Sequence, residues 1–238
     1  MPKASGDVAI QSLVLLTEEY KLFEKAMVFQ LAVVTWVMRG SPVIDDGLRA
    51  ALGLACYVFD MLMCGWNSLI HGFYAVALHP VRDIDQAMIT EVAVTLNSGT
   101  ARRFWEGELE DSEARQALQN ALEQEDKEFA EKWSSDRKHL RKLLHKMVHP
   151  GRTSISPSII IDPAGQFATP LIGGQFIEER CLRIGRLYDS LAFSAAVQAT
   201  QAFKSVLPND SALEKHFKEI VVWGKGLINR WEKEMGFS

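Results

Sequence analysis

The sequence predicts a mainly all-α chain, a helical bundle of about six helices with a β-hairpin inserted near residues 155–173. Three observations predict it. Apolar residues recur at three- and four-residue spacing over long stretches, which places them on one face of a helix. Glycine and proline collect between those stretches, as in Arg39-Gly40-Ser41-Pro42 and His149-Pro150-Gly151, where they end or redirect a helix. Only Ser154 to Gly174 departs from helical spacing, with two short β-prone runs around Asp162-Pro163-Ala164-Gly165, a tetrapeptide with turn chemistry.

Residues 7 to 39 read as one helix, with Leu13, Leu16, Tyr20, Phe23, Met27, Leu31 and Val34 on its apolar stripe. A second helix starts at Asp45 or Asp46, either of which can accept from its free N–H groups. It runs on to Leu78. It is apolar nearly all round, so it is expected to be the central, most buried helix. Pro80 either kinks that helix or opens the next, since its missing N–H costs nothing in a first turn. Val81 to Leu96 keeps helical spacing, and Asn97-Ser98-Gly99-Thr100 reads as a stop or turn.

Asp111 to Val148 reads as a long polar helix whose stripe includes Leu118, Leu122, Phe129, Trp133, Leu140 and Met147. Its charges are sorted. Glu106 to Glu131 holds ten acidic and two basic residues. Lys132 to Arg152 has a basic excess of six, plus three histidines. Acids near the start and bases near the end complement the helix dipole. Ile177 to Val206 returns to helix, and Asn209 or Asp210 is placed to cap a last helix ending near Met235. No repeat or low-complexity linker interrupts the 238 residues, so residues 1–238 are read as a single domain.

Composition narrows the function. Apolar content of 47% and charged content of 24% are ordinary for a globular chain. A net charge of −4 gives no overall basic field to gather nucleic acid or anionic lipid, although it leaves room for a local patch. Cys56, Cys64 and Cys181 are odd in number and lack CxxC spacing, so neither a disulfide framework nor a zinc ribbon is expected. Cys56 and Cys64 lie in apolar runs and read as small core residues. The start of the chain lacks a charged-then-apolar signal pattern. Ala51 to Ile70 is long enough to span a bilayer, but Asp60 and Asn67 within it favour a core helix. A cytoplasmic protein without a membrane partner is the expectation.

Arg141, His145 and His149 recur every four residues, so they form a row on one helix face. Pro150 disfavours helical backbone at His149 and marks the helix end. Three readings of this row compete. As a metal site, the HxxxH pair needs a third ligand, and Lys146 stands where a zincin carries glutamate. As an acid–base site, a histidine moves protons while Arg141 neutralises a phosphate, which suits metal-independent RNA cleavage. As structure alone, the bases complement the helix C-terminus.

Two stretches carry a resemblance. Leu69 to Ala87, LIHGFYAVALHPVRDIDQA, and Leu140 to Ser154, LRKLLHKMVHPGRTS, are similar to segments of a family of bacterial helical domains of unknown function. In that family an arginine and, three residues on, an acid follow a small residue and an aromatic, and a later His-Pro closes a helix. Arg82 and Asp85 fill the first pair of places and His149-Pro150 the second, whereas the serine that precedes the family's His-Pro is missing and His145 stands near its place. The likeness covers about residues 45 to 200, and the segment TARRFWEGEL between is similar to one where the chain turns and a tryptophan packs. The family resembles in turn the HEPN superfamily of helical ribonucleases, whose signature is an arginine, four to six residues, then a histidine. This chain departs from that spacing: Arg141 leaves three residues before His145 and seven before His149.

Arg82 and Asp85 also stand out without the resemblance. An arginine beside a core needs a partner within reach. The pair is either an ion pair fixing helix register or an arginine offered to an anionic ligand. The expected function is a non-catalytic helical binding or interaction domain. The alternative is a HEPN-like metal-independent ribonuclease or nucleic-acid-binding protein of a defence or toxin system, with a metal-dependent hydrolase behind it. Candidate catalytic residues are Arg141, His145 and His149, and candidate ligand-binding residues are Arg82 and Asp85. No cofactor or metal is expected. The expected partners are a second copy of the chain and RNA or a small anionic ligand.

Overall fold

The computed structural model describes residues 2–40, 45–128, 130–131, 134–135, 159–161, 168–170, 174–207 and 211–234. Helices α1 (Pro2–Leu15), α2 (Thr17–Gly40), α3 (Asp46–Ile70), α4 (Tyr74–Leu78), α5 (Val81–Leu96), α6 (Ser98–Trp105) and α7 (Asp111–Glu125) precede the strands β1 (Ile159–Ile161) and β2 (Ala168–Pro170). Helices α8 (Glu178–Ala202) and α9 (Ser211–Glu234) follow. The chain is thus mainly helical, as its periodicity requires. The count of about six is too low, since seven helices lie before residue 126 alone. Short polar caps and one glycine cut stretches that periodicity joins.

The first cut is at Leu16. Residues 7 to 39 do not form one helix. The Thr17 hydroxyl donates to the carbonyls of Leu13 and Val14 at 3.2 and 2.9 Å, and such back-bonding bends or breaks a helix. Leu16 is fully buried there, seated over Gly185 of α8, where a Cβ would come within 2.5 Å of Leu16 Cδ2. The second cut ends α3 at Ile70 rather than Leu78. Gly72 has φ +75° and the backbone N–H groups of Gly72 and Phe73 return to Leu69 and Ser68 at 2.9 Å each, a left-handed glycine cap. The Tyr74 hydroxyl then accepts from Ile177 N at 2.8 Å and donates to Ile177 O at 3.3 Å, fixing the start of α8 to α4.

The third cut is at Asp126, whose φ and ψ of −155° and 104° end α7. Asp111 to Val148 is therefore not one helix. Ala130 N donates to Asp126 O at 3.0 Å, so Asp126 closes one helical segment and opens another. Aspartate prefers such ends to helix interiors. Asn97 does the same between α5 and α6, accepting from Thr100 N at 2.7 Å. Pro80 stands at the start of α5 with φ −76°. Asp45 caps α3, accepting from Leu48 N at 2.8 Å. Asp45→Ala should lower the unfolding free energy by about 1 kcal/mol, read as a lower urea midpoint at unchanged m. Asn209 and Asp210 lie outside the described residues.

The more fully buried helix is α5, not α3. Eleven of the 16 residues of α5 are buried, against ten of the 25 in α3. α5 packs on α3, α6, α7 and α8, while α8 also packs on α2 and α3. α3 is apolar in composition and packs on α1, α2, α4, α5, α6 and α8, but it turns one face to solvent. Tyr57 and Met63 on its outer face are 40% and 45% exposed, and Cys56 and Cys64 are exposed beside them rather than buried in the core. Cys181 is the buried thiol. Among the described residues α3 is also the helix long and apolar enough to cross a membrane. Here its inner face packs through Ala51, Ala55, Val58, Leu62 and Leu69 into the main core.

β1 and β2 pair antiparallel, with Ile159 opposite Pro170 and Ile161 opposite Ala168. Each is three residues long. The remainder of the hairpin expected over 155–173 lies outside the described residues.

Candidate functional site

Three helices enclose a cleft of about 510 Å³. α5 contributes Val92, Thr95 and Leu96. α7 contributes Leu118, Ala121, Leu122, Glu125 and the following Asp126. α8 contributes Phe193, Ser194, Val197, Gln198 and Gln201, with Lys204 just beyond its end. Helical spacing explains the set. Val92 and Leu96 are four apart, as are Leu118 and Leu122, and Phe193 and Val197, so each helix turns one apolar stripe inward. Two of these aliphatic walls touch the main core, since Val92 and Leu118 belong to its buried cluster. The apolar residues of the lining thus form a floor continuous with the core, and the polar residues, the rim, make up the other half of the lining.

The electrostatics of the cleft are uneven. Every lining residue of α5 and α8 comes from the C-terminal half of its helix, and α7 contributes its last two turns. Helix ends therefore meet at this space: α5 and α7 finish here, and the next helical segments open at Asn97 and Asp126, so opposite dipole ends lie side by side. Two carboxylates, Glu125 and Asp126, share the rim with one ammonium, Lys204. Gln198 Oε1 is buried and has no hydrogen-bond partner among the described residues, and it is closed off from the cleft space itself.

A second polar cluster lies between α2 and α8. Glu19, with 5% of its surface exposed, accepts from Arg186 Nε at 3.4 Å. Asp189, one turn along α8, is fully buried and neither carboxyl oxygen has a partner among the described residues. Burial, reinforced by the Glu19 carboxylate, pushes the Asp189 carboxyl up to about 10. It therefore keeps its proton at neutral pH. Glu91 on α5 is a similar case: fully buried, without partners for either oxygen among the described residues, and held well above the ordinary carboxylate range by desolvation. Burial also raises the Cys181 thiol. The nearby Glu19 carboxylate adds to that rise.

Arg141, His145 and His149 lie outside the described residues. Arg82 is exposed and Asp85 is buried at 3% exposure. Three residues apart on α5, they occupy different environments, and neither lines the cleft. Among the described residues no three His, Cys, Asp or Glu side chains converge as a cation's ligands. Sequence reasoning passed over Glu91 and Asp189, yet each carries a signal. Glu91 is a lone carboxylate in Ile89-Thr90-Glu91-Val92-Ala93-Val94, and Asp189 lies between Tyr188 and Leu191 on an otherwise apolar stripe. An unpaired acid in a core register is the pattern to look for. The cleft has no such local signature, because its walls come from segments separated by up to about a hundred residues. Comparison of the chain with protein-family models, with curated proteins and with solved structures gives no match.

Proposed function

We propose that this chain is a helical binding domain that holds a small amphipathic molecule in the cleft between α5, α7 and α8. The enclosed volume of about 510 Å³ carries the reading. It falls within the size of small-molecule sites, and seven of its fourteen described lining residues are apolar and seven polar. The floor supplies affinity by burying apolar surface, at roughly 25 cal/mol per Å² before the costs of association. The rim supplies orientation. A ligand that spans both bridges α7 and α8.

Titration with the neutral fluorophore N-phenyl-1-naphthylamine tests this reading. The wild-type protein should give saturable one-to-one binding. Ser194→Trp places an indole in the cleft from the α8 wall, so it should weaken binding at least about tenfold, or 1.4 kcal/mol, with helical content and unfolding midpoint close to wild type. Equal binding by the plugged variant would show that the fluorophore sits elsewhere.

A further inference from the structure

We infer that α9 sets the width of the cleft by backing the Phe193 ring, which makes Gly224 of α9 a positioning residue for the ligand; the inference rests on the cleft being a ligand site. Phe193 is a half-buried aromatic side chain on the α8 wall of the cleft. Its ring also packs against α9. Gly224 is buried there, and a Cβ at that position would lie 2.6 Å from Phe193 Cδ2 and 2.8 Å from Cε2. Carbon atoms in contact stand about 3.5–4.0 Å apart, so no residue with a Cβ fits while the ring stays where it is. Glycine inside a helix is unfavourable relative to alanine, and this close approach accounts for it. The rest of α9 is seated by other contacts. Phe217 packs on Phe29 of α2 with ring centroids 5.5 Å apart, and Ile220 and Leu227 are buried. A group added at Gly224 therefore moves the ring rather than the helix, and the cleft is the open space beside the ring. Lys204 is a second link, since it lines both the cleft and a cavity of about 250 Å³ that Leu213, Glu214 and Phe217 of α9 also line. A docked α9 thus stops the ring from withdrawing and limits how thick a ligand the Phe193 wall accepts.

Gly224→Ala in two backgrounds tests this. The added methyl group pushes the ring into the cleft, so N-phenyl-1-naphthylamine should bind at least about fivefold more weakly than to the wild type. In a Phe193→Ala background the ring is gone, and Gly224→Ala should change binding by less than about twofold. Equal weakening in both backgrounds overturns the inference, because the effect then bypasses the ring. Equal binding by the wild type and a folded Gly224→Ala also overturns it. A ligand-free readout separates the inference from the binding reading. Without fluorophore, the ring-current shifts of the Val92 and Val197 methyl groups should change on Gly224→Ala and stay unchanged on the same substitution in Phe193→Ala. If they do so while the wild type binds no fluorophore, positioning by α9 stands and the binding reading fails. If they do not, the inference fails whatever the fluorophore does. Should Gly224→Ala lose helical content, its recovery in the double variant supports the contact, and no recovery overturns it.

Discussion

Asp189→Asn should stabilise the protein at pH 7 by about 4 kcal/mol at most. The wild-type carboxyl, pushed up to about 10 by burial and by Glu19, must take up a proton to fold. Holding a proton at pH 7 on a group whose ordinary pKa is about 4 costs about 1.4 kcal/mol per unit, or roughly 4 kcal/mol. Asparagine has the same shape and needs no proton. Its amide is as short of partners as the neutral acid, so that cost is common to both. The sign of the pH dependence follows. Between about pH 4 and pH 10 the folded state holds a proton that the unfolded state has released, so stability falls as pH rises. Asp189 alone contributes a fall of about 1.4 kcal/mol per pH unit, and Glu91, shifted the same way, adds to it. Urea unfolding at pH 5 and pH 8 should show a loss in the wild type that is reduced by roughly 4 kcal/mol in Asp189→Asn. Parallel pH slopes for the two proteins would mean that Asp189 is ionised and paired in the fold.

Gly65→Ala should cost about 3 kcal/mol or more. An added Cβ at this position of α3 falls on the Tyr188 hydroxyl and lies 2.7 Å from Tyr188 Cε1. Tyr188 cannot yield cheaply. It is fully buried, its hydroxyl donates to the Ala77 carbonyl on α4, and its ring meets Trp66 edge-on with centroids 6.4 Å apart. The ring thus ties α8 to α3 and α4 at once. Tyr188→Phe leaves the Ala77 carbonyl without its donor and should cost roughly 1–2 kcal/mol. In that background the hydroxyl is gone, so Gly65→Ala should cost less than in the wild type, with a coupling above about 0.5 kcal/mol. Thermal unfolding of the four proteins reads this out. Strict additivity would show that α3 moves away from Tyr188 without resistance.

The helical class and several boundaries were legible in the sequence because they depend on local chemistry. Asp45, Pro80 and the Gly72 region act through their own backbone geometry, and two of the three were anticipated. Long-range burial was not legible in the same way. α3 reads as the most buried helix because its composition is apolar, but burial depends on which faces the neighbours cover. The less apolar α5 has 11 of its 16 residues buried, while Cys56 and Cys64 of α3 face outward. The break at Asp126 escaped for a related reason. The polar run Glu123 to Glu128 fits a solvent-facing helix as readily as a cap, and only the backbone at Asp126 decides between them. Of the candidate residues, Arg82 and Asp85 were noticed for their chemistry. The cleft residues Leu118, Leu122, Phe193 and Val197 look like any core stripe, and become a site only when three helices leave space between them.

Methyl chemical-shift mapping during an N-phenyl-1-naphthylamine titration tests the binding reading most directly. If the cleft is the site, the shifts concentrate on Val92, Leu96, Leu118, Leu122 and Val197, saturate together, and vanish in Ser194→Trp. Shifts confined instead to the exposed Val28, Leu31 and Met38 face of α2, which is 51–64% open to solvent, or spread evenly over the surface, would contradict it.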